Sequence, residues 1–299
     1  MSYEICVVGS ANADITVPVD ALPEPGQTLL GGAARRSPGG KGANQAAAAA
    51  RIGRRSALLG CIGTDDAGDL VRAALVDAGV AADLLIRSGS APTGLALILV
   101  SSDDNMIVVS PGANSALLPE HVHEHADAIG SAAIVLAQLE IPVETVDAAA
   151  EIAGGRFVLN PAPARALPAG LLERVDVLVP NRSELATLAG SQEPTSIDDT
   201  VDLARQLGVA GTIVVTLGAD GALVVDGSAV AHVPAVPVEA VDPTAAGDTF
   251  CAALCDALLG DATAADAAAW AVRAASVTVS REGAITATPT RADVLALSP

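Results

Sequence analysis

The sequence predicts an α/β protein: a three-layer α/β/α sandwich with a mostly parallel central sheet, plus a small second β-sheet. Three observations predict it. Short apolar runs alternate with Ala-rich stretches along most of the chain. Strands apolar on both faces and separated by helices pack as a parallel sheet covered on both sides. Two regions of the first third break that rhythm, with strands that have no helix between them. The 299 residues are enough to bury most of the apolar surface in one large domain or two.

Taken in order, residues 5–9 (ICVVG) read as a buried strand ending in glycine. Residues 15–19 and 28–36 read as short strands joined by the turn Pro23-Glu24-Pro25-Gly26. An Ala-rich helix over 41–53 ends at Gly53, a strand covers 57–62, and a helix over 67–79 ends at Gly79. Residues 95–101 and 106–110 form a hairpin around 102–105. With the strands at 15–19 and 28–36 they make a small antiparallel sheet suited to be a lid. Buried strands follow at 133–137, 157–160, 175–179 and 212–217, with helices at 142–153, 182–189 and 198–207. Asp226-Gly227 turns a hairpin of 222–226 and 229–233. From Gly247 the pattern is helical to about Ser280, and a last short helix lies near 291–297.

Composition excludes several classes. The net charge is −19, whereas phosphate neutralisation needs clustered Lys and Arg, so nucleic acid is not the expected partner. Aromatic residues are only Tyr3, Phe157, Phe250 and Trp270, too few for a base-stacking platform. With 51% hydrophobic residues, disorder is excluded. Cys6, Cys61, Cys251 and Cys255 lack metal or disulfide spacing and read as buried thiols of a reducing compartment. No signal peptide and no run of roughly 20 apolar residues is found. The expectation is a cytoplasmic protein with no membrane partner.

Three clusters are candidates for chemistry. The segment 241–250 (VDPTAAGDTF) runs from small residues into an Ala-rich helix. Amides at a helix N-terminus bind anions, and small side chains let a phosphoryl group approach them. Asp248 in the first turn is a helix cap on one reading. On the other it takes a proton from an attacking hydroxyl. The segment 39–45 (GGKGANQ) offers Lys41, the only lysine of the chain, and Asn44 to a polyhydroxylated ligand. The segment 9–14 (GSANAD) follows the first strand, where ligands bind in open α/β sheets. Its Asn12 and Asp14 are alternatively an Asx turn. A P-loop, a G-x-G-x-x-G fingerprint, a G-x-S-x-G elbow and an H-E-x-x-H site are absent.

These motifs, with Pro92-Thr93-Gly94, Gly112-Ala113-Asn114, Gln138-Leu139-Glu140, LNPAPAR at 159–165, Pro180-Asn181 and TLGADG at 216–221, resemble the ribokinase-like (PfkB) family of sugar kinases. The resemblance runs from about Glu4 to Pro289. It implies one kinase domain over 1–299, with a lid formed by about 15–37 and 93–110. It implies ATP-dependent phosphorylation of a sugar, with GGKGANQ and LNPAPAR pointing to D-ribose and its 5-hydroxyl. Another sugar or a nucleoside is the alternative. Asn12, Ala13, Asp14, Gly40, Lys41, Gly42, Ala43, Asn44 and Glu140 match sugar-binding positions. Asp248 matches the catalytic base, and the amides of Ala245, Ala246 and Gly247 match the anion hole. Asn181, Thr216, Leu217, Gly218, Ala219, Asp220, Gly221, Gly247, Asp248 and Val272 match ATP-binding positions, Val272 standing where a histidine often lies. Asn181 and Glu184 are associated with Mg²⁺. Asp242, Thr244, Thr278, Arg281, Gly283 and Ala287 match a K⁺ site, in which Ala287 replaces the usual serine. The resemblance also implies a homodimer formed through the lid.

Other groups have plainer readings. His121 and His125 fall on one helix face but lack a third ligand. The pairs Asp65-Asp66 and Asp103-Asp104 lie at turns, where solvated Asp is usual. Trp270 reads as core.

Overall fold

The computed structural model describes residues 2–101, 105–260 and 262–297. Its strands are β1 (Ile5–Val8), β2 (Asn12–Pro18), β3 (Arg35–Gly39), β4 (Ser56–Gly63), β5 (Leu85–Ser88), β6 (Gly94–Val100), β7 (Asn105–Ser110), β8 (Ile134–Ala137), β9 (Arg156–Leu159), β10 (Val177–Leu178), β11 (Thr212–Thr216), β12 (Ala222–Asp226) and β13 (Ala229–Val233). The helices are α1 (Lys41–Ile52), α2 (Asp66–Asp77), α3 (Pro119–Glu124), α4 (Ala126–Gly130), α5 (Val143–Ile152), α6 (Ala169–Leu172), α7 (Arg182–Ala189), α8 (Ile197–Gln206), α9 (Ala246–Leu258), α10 (Ala264–Val279) and α11 (Arg291–Ala296).

The expected sandwich is present. Nine strands form one sheet in the order β13-β12-β11-β10-β9-β8-β1-β4-β5, parallel except for the β11-β12-β13 edge. The two-residue period of a strand divides the core. Ile5 and Val7 of β1 face one buried cluster, with α1, α9 and α10. Cys6 and Val8 face the other, with α5, α7 and α8. The Ala-rich faces of α1 and α9 are buried in the first cluster, where small side chains let the two helices lie close. Gly53 ends α1 in the left-handed conformation (φ 109°), its amide donating to Ala49 and Ala50 carbonyls.

The strand order reverses around β1, which lies between β8 and β4. Such a switch point opens a crevice beyond the carboxyl ends of the strands. The segments after β1, β8, β9, β10 and β11 all emerge there.

The second sheet has the order β3-β2-β6-β7. It corrects the expected antiparallel sheet, because β2 and β6 pair in parallel from Asn12–Gly94 to Pro18–Val100. The strand expected at 28–36 is displaced to Arg35–Gly39, where antiparallel pairing to β2 is available. Residues 28–34 form no strand. The turn expected around 102–105 and the pair Asp103-Asp104 lie on residues 102–104, outside the described residues. The strand expected at 175–179 shortens to Val177–Leu178, and the helix from Gly247 breaks in two between Leu258 and Ala264. The four cysteines are buried free thiols. Among the described residues no helix is long and apolar enough to cross a membrane.

Candidate active site

Four chain segments meet in the crevice. The first runs from β1 into β2. Ser10 Oγ donates to Glu140 Oε2 at 2.5 Å, and the Lys41 amide donates to the same oxygen at 3.1 Å. Asn12 and Asp14 stand in β2 itself, not in an Asx turn. Asn114, 1% exposed, fixes Asn12: its Nδ2 donates to Asn12 Oδ1 at 2.7 Å, and its Oδ1 accepts the Ala11 amide at 2.9 Å. Asn12 is therefore left with its Nδ2 donors for a ligand.

The second segment is the start of α1. Gly40 is its N-cap at φ 91°, a backbone favouring glycine. A Cβ there would meet the Asn12 amide nitrogen at 2.8 Å, and one on Gly42 would meet that of Ser10 at 2.6 Å. The glycines thus let the β1–β2 segment and α1 touch through backbone. Lys41, Ala43 and Asn44 follow in the first turn.

The third segment is the start of α9. Its N-cap is Ala245, with φ 60°, the one left-handed non-glycine among the described residues. The Ala246 amide bonds back to Pro243 O at 3.2 Å. The Gly247 and Asp248 amides open the helix with no carbonyl behind them in the helix. Asp248, 7% exposed, does not cap its own helix. Its Oδ2 accepts Asn44 Nδ2 at 2.9 Å and its Oδ1 accepts Gln45 Nε2 at 3.1 Å. Of the two sequence readings of Asp248, capping is the one this geometry removes.

Behind Asp248 lies a chain of buried amides. Gln138 Nε2 donates to Gln45 Oε1 at 2.5 Å, Gln45 Nε2 also reaches Asn160 Oδ1 at 3.2 Å, and Asn160 Nδ2 donates to Val179 O at 2.9 Å. Gln45, Gln138, Asn160, Asn114 and Ser10 lie inside the sequence motifs, but no local signal marks them as site residues. Only their three-dimensional partners reveal them.

Carboxylates dominate the electrostatics. Burial, then Glu140 and Asp248, push the Asp14 carboxyl up to about 7, and its Oδ1 is buried without a partner. Burial opposes the Lys41 ammonium, but Asp248, Glu140 and Glu184 outweigh it and hold its pKa above the ordinary value. Burial pushes the Glu184 carboxyl up, against the pull of Asn181 and Lys41.

The fourth segment set is a cleft of about 560 Å³ beside α9. Thr216, Gly218, Ala219, Gly221, Gly247 and Val272 line it. Its walls are otherwise mostly apolar, as a flat base requires. Leu217 and Asp220 belong to the same loop, in which Gly218–Asp220 is a 3₁₀ turn. Asn181 and Glu184 form a reciprocal capping box at the start of α7: Asn181 Oδ1 accepts the Glu184 amide at 2.7 Å, and Glu184 Oε2 accepts the Asn181 amide at 2.8 Å.

Among the described residues no group of three His, Cys, Asp or Glu is placed to hold a metal. His121 instead accepts the Leu118 amide through Nδ1, and His125 is the C-cap of α3. Asn181 and Glu184 fit a divalent ion carried by nucleotide phosphates, which needs few protein ligands. Near the entrance to α9, Asp242 Oδ1 accepts the Thr244 amide and Oδ2 the Gly283 amide, both at 2.9 Å. Burial opposes it, but these bonds hold the Asp242 carboxyl below the usual range. An ionised carboxylate joined to the Thr244 and Arg281–Gly283 loops fits a monovalent cation. Thr278 and Ala287 are buried nearby, and Ala287 brings no side-chain oxygen.

The arrangement can hold a polyol, deprotonate one hydroxyl and receive a phosphoryl group at a helix N-terminus. Comparison with known proteins agrees. The pattern of the pfkB family carbohydrate kinases matches residues 2–291, and the chain belongs to that family. It is 36% identical to the ribokinase of Haemophilus influenzae over 99% of this chain and 98% of that one. The ribokinase of Thermotoga maritima superposes with a TM-score of 0.90, at 35% identity and 99% coverage of both chains. The Arabidopsis thaliana ribokinase complexed with ribose and ATP superposes with a TM-score of 0.90, at 33% identity and 99% coverage of both. The protein is an ATP-dependent sugar kinase.

Proposed function

We propose that the sugar is D-ribose, phosphorylated on O5 to give D-ribose 5-phosphate and ADP. The carrying observation is Asp248: a buried carboxylate held by Asn44 and Gln45 rather than by its own helix, beside free helix-terminal amides. In this reading Asp248 accepts the proton of the 5-hydroxyl as that oxygen attacks the γ-phosphorus. The Ala245, Ala246 and Gly247 segment stabilises the negative charge of the transferring group. Positioning and preorganised donors supply most of the catalysis in phosphoryl transfer. Asn12, Asp14, Gly40, Lys41, Gly42, Asn44 and Glu140 bind the sugar hydroxyls. Thr216, Gly218 to Gly221, Asn181 and Val272 bind ATP. Mg²⁺ on the phosphates would neutralise their charge, with Asn181 and Glu184 nearest. K⁺ would sit at Asp242, Thr244, Thr278, Arg281, Gly283 and Ala287.

The second sheet serves as the lid of a single kinase domain, excluding water from the transfer. Leu97, Met106 and Val108 on β6 and β7 share one face of the sheet and are 42–59% exposed, an apolar face that supports pairing with a second copy. The compartment is read as the cytoplasm.

The test is ADP release from Mg-ATP with ribose, deoxyribose, fructose, adenosine, pseudouridine or no acceptor, with and without K⁺. Turnover chiefly with ribose is expected. Turnover chiefly with another acceptor refutes the substrate, and silence with all of them refutes the reading.

A further inference from the structure

The loop that lines the cleft, Gly218–Gly221, is held from two sides by side chains that are not part of the cleft lining, Arg182 and His232. Its own closure is local: the Leu217 amide donates to Gly221 O at 2.8 Å, and the Asp220 amide to Leu217 O at 3.2 Å. Gly221 (φ 93°) lies so close to β13 that a Cβ would meet Val233 O at 2.0 Å. Both remaining ties end on Asp220. Arg182, the first residue of α7, places Nη2 3.1 Å from Asp220 Oδ2. His232 on β13 donates from Nε2 to the Asp220 carbonyl at 2.8 Å. Asp220 therefore links the loop to α7 through its side chain and to the edge strand through its backbone.

We infer that Arg182 and His232 are positioning residues for the phosphate donor, holding the cleft-lining loop through the two ends of Asp220. The inference rests on reading the cleft as the nucleotide site. The ion pair has little to do for stability. Its side chains are 24% and 62% exposed, and exposed pairs contribute little to folding. What the pair does instead is choose one position for a three-residue turn. An unheld loop must be ordered when the nucleotide binds, and that ordering weakens affinity. Arg182 also stands next to Asn181, so the same contact keeps the loop in register with the capping box of α7.

The experiment is titration calorimetry of ATP in the full-length protein without acceptor, with Tm as a folding control and steady-state KM values for ATP and for ribose. Arg182→Ala is expected to raise the Kd for ATP about two- to fivefold, the range of an exposed ion pair. Its Tm should stay within about a degree, and KM for ribose should not move. His232→Ala is expected to act in the same direction, and His232→Gln, which keeps an N–H donor, to recover part of the loss. The exchanged pair Arg182→Asp with Asp220→Arg should bind ATP better than either reversal alone. The inference is overturned if Arg182→Ala leaves the Kd for ATP unchanged. It is also overturned if Asp220→Ala tightens ATP binding, because Arg182 would then touch the phosphates itself. Because the calorimetry needs no acceptor, failure of ribose as substrate leaves this test intact. Absence of ATP binding in the parent protein would sink the nucleotide-site reading itself.

Discussion

In the proposed reading Asp14 binds a sugar hydroxyl, and its raised carboxyl would make that binding respond to pH near neutrality. Its carboxyl is raised from the ordinary range to about 7 by burial and by the carboxylates of Glu140 and Asp248. One carboxyl oxygen is buried without a hydrogen-bond partner. A sugar hydroxyl donating to that oxygen favours the ionised form, so binding releases a proton. Below about pH 7 a growing fraction of the free protein must lose that proton first. Each pH unit then weakens binding about tenfold. KM for ribose should be flat at pH 8 to 9, about tenfold higher at pH 6 and still higher at pH 5.5. The fold itself responds with the opposite preference. A carboxyl raised by folding is favourable when protonated, so stability falls as pH rises from about 4, where the unfolded chain ionises, to about 7. The full difference is at most about 4 kcal/mol, and solvent at this partly exposed group reduces it. Initial-rate measurements from pH 5.5 to 9 at saturating ATP, paired with thermal melts, read both effects. Asp14→Asn should raise KM at every pH and abolish both slopes. A wild-type KM that stays constant between pH 6 and 8 refutes the reasoning.

Three further outcomes are expected. Asp248→Asn keeps the shape of the side chain and should lower kcat by ~10²–10⁴ with Tm nearly unchanged; matched losses of Tm and activity would restore the capping role. Gln45→Leu strips Asp248 of one donor and strands the Gln138 and Asn160 amides, each worth about 1–3 kcal/mol when left buried and unpaired. It should lower both kcat and Tm, and a variant with parental kcat would remove the amide chain from catalysis. Asp256, 1% exposed, receives Arg54 Nε and Arg291 Nη2, each at 2.5 Å, and Arg291 lies 5.3 Å from the Trp270 ring centre. Asp256→Ala leaves Arg291 without its anion and Arg54 with Glu4 alone, at about 3 kcal/mol. For a chain of this length that is a fall in Tm of about 5 °C, with KM values unchanged; a fall under 1 °C contradicts it.

How much of this was readable beforehand depends on how local each determinant is. Helix α7 is legible at its observed bounds, and the signals that fix them, the Asn181–Glu184 capping box and Gly190, lie within ten residues of each other. The hairpin of β12 and β13 was read from Asp226-Gly227, again a neighbouring signal. The parallel pairing of β2 with β6 was not readable, since nothing in either strand encodes a partner some 80 residues away. The displaced β3 has the same cause: Thr28 to Ala34 touch the end of β2 through a single Gly32 amide bond to Pro18 O, whereas Arg35 to Gly39 pair with it along a ladder.

The site divides along the same line. Gly40, Lys41, Asn44 and Asp248 were visible because each sits in a short motif opening a helix. Whether Asp248 capped α9 or faced a substrate could not be settled from that motif, because a first-turn carboxylate suits both. The contacts of Asp248 remove the capping role, and Ala245 is what leaves it free for them. An N-cap without a side-chain acceptor leaves the helix uncapped, and its left-handed backbone is a strain that capping alone would not need. The carboxylate is then free to be held by Asn44 and Gln45, some 200 residues earlier. The amides behind it come from the ends of β8, β9 and β10, so the orientation of one carboxylate is fixed by the order of strands in the sheet. A motif scan sees the residues at the end of each strand but not that order. Within this fold, the strand order around β1 is what turns several separately ambiguous polar residues into one site.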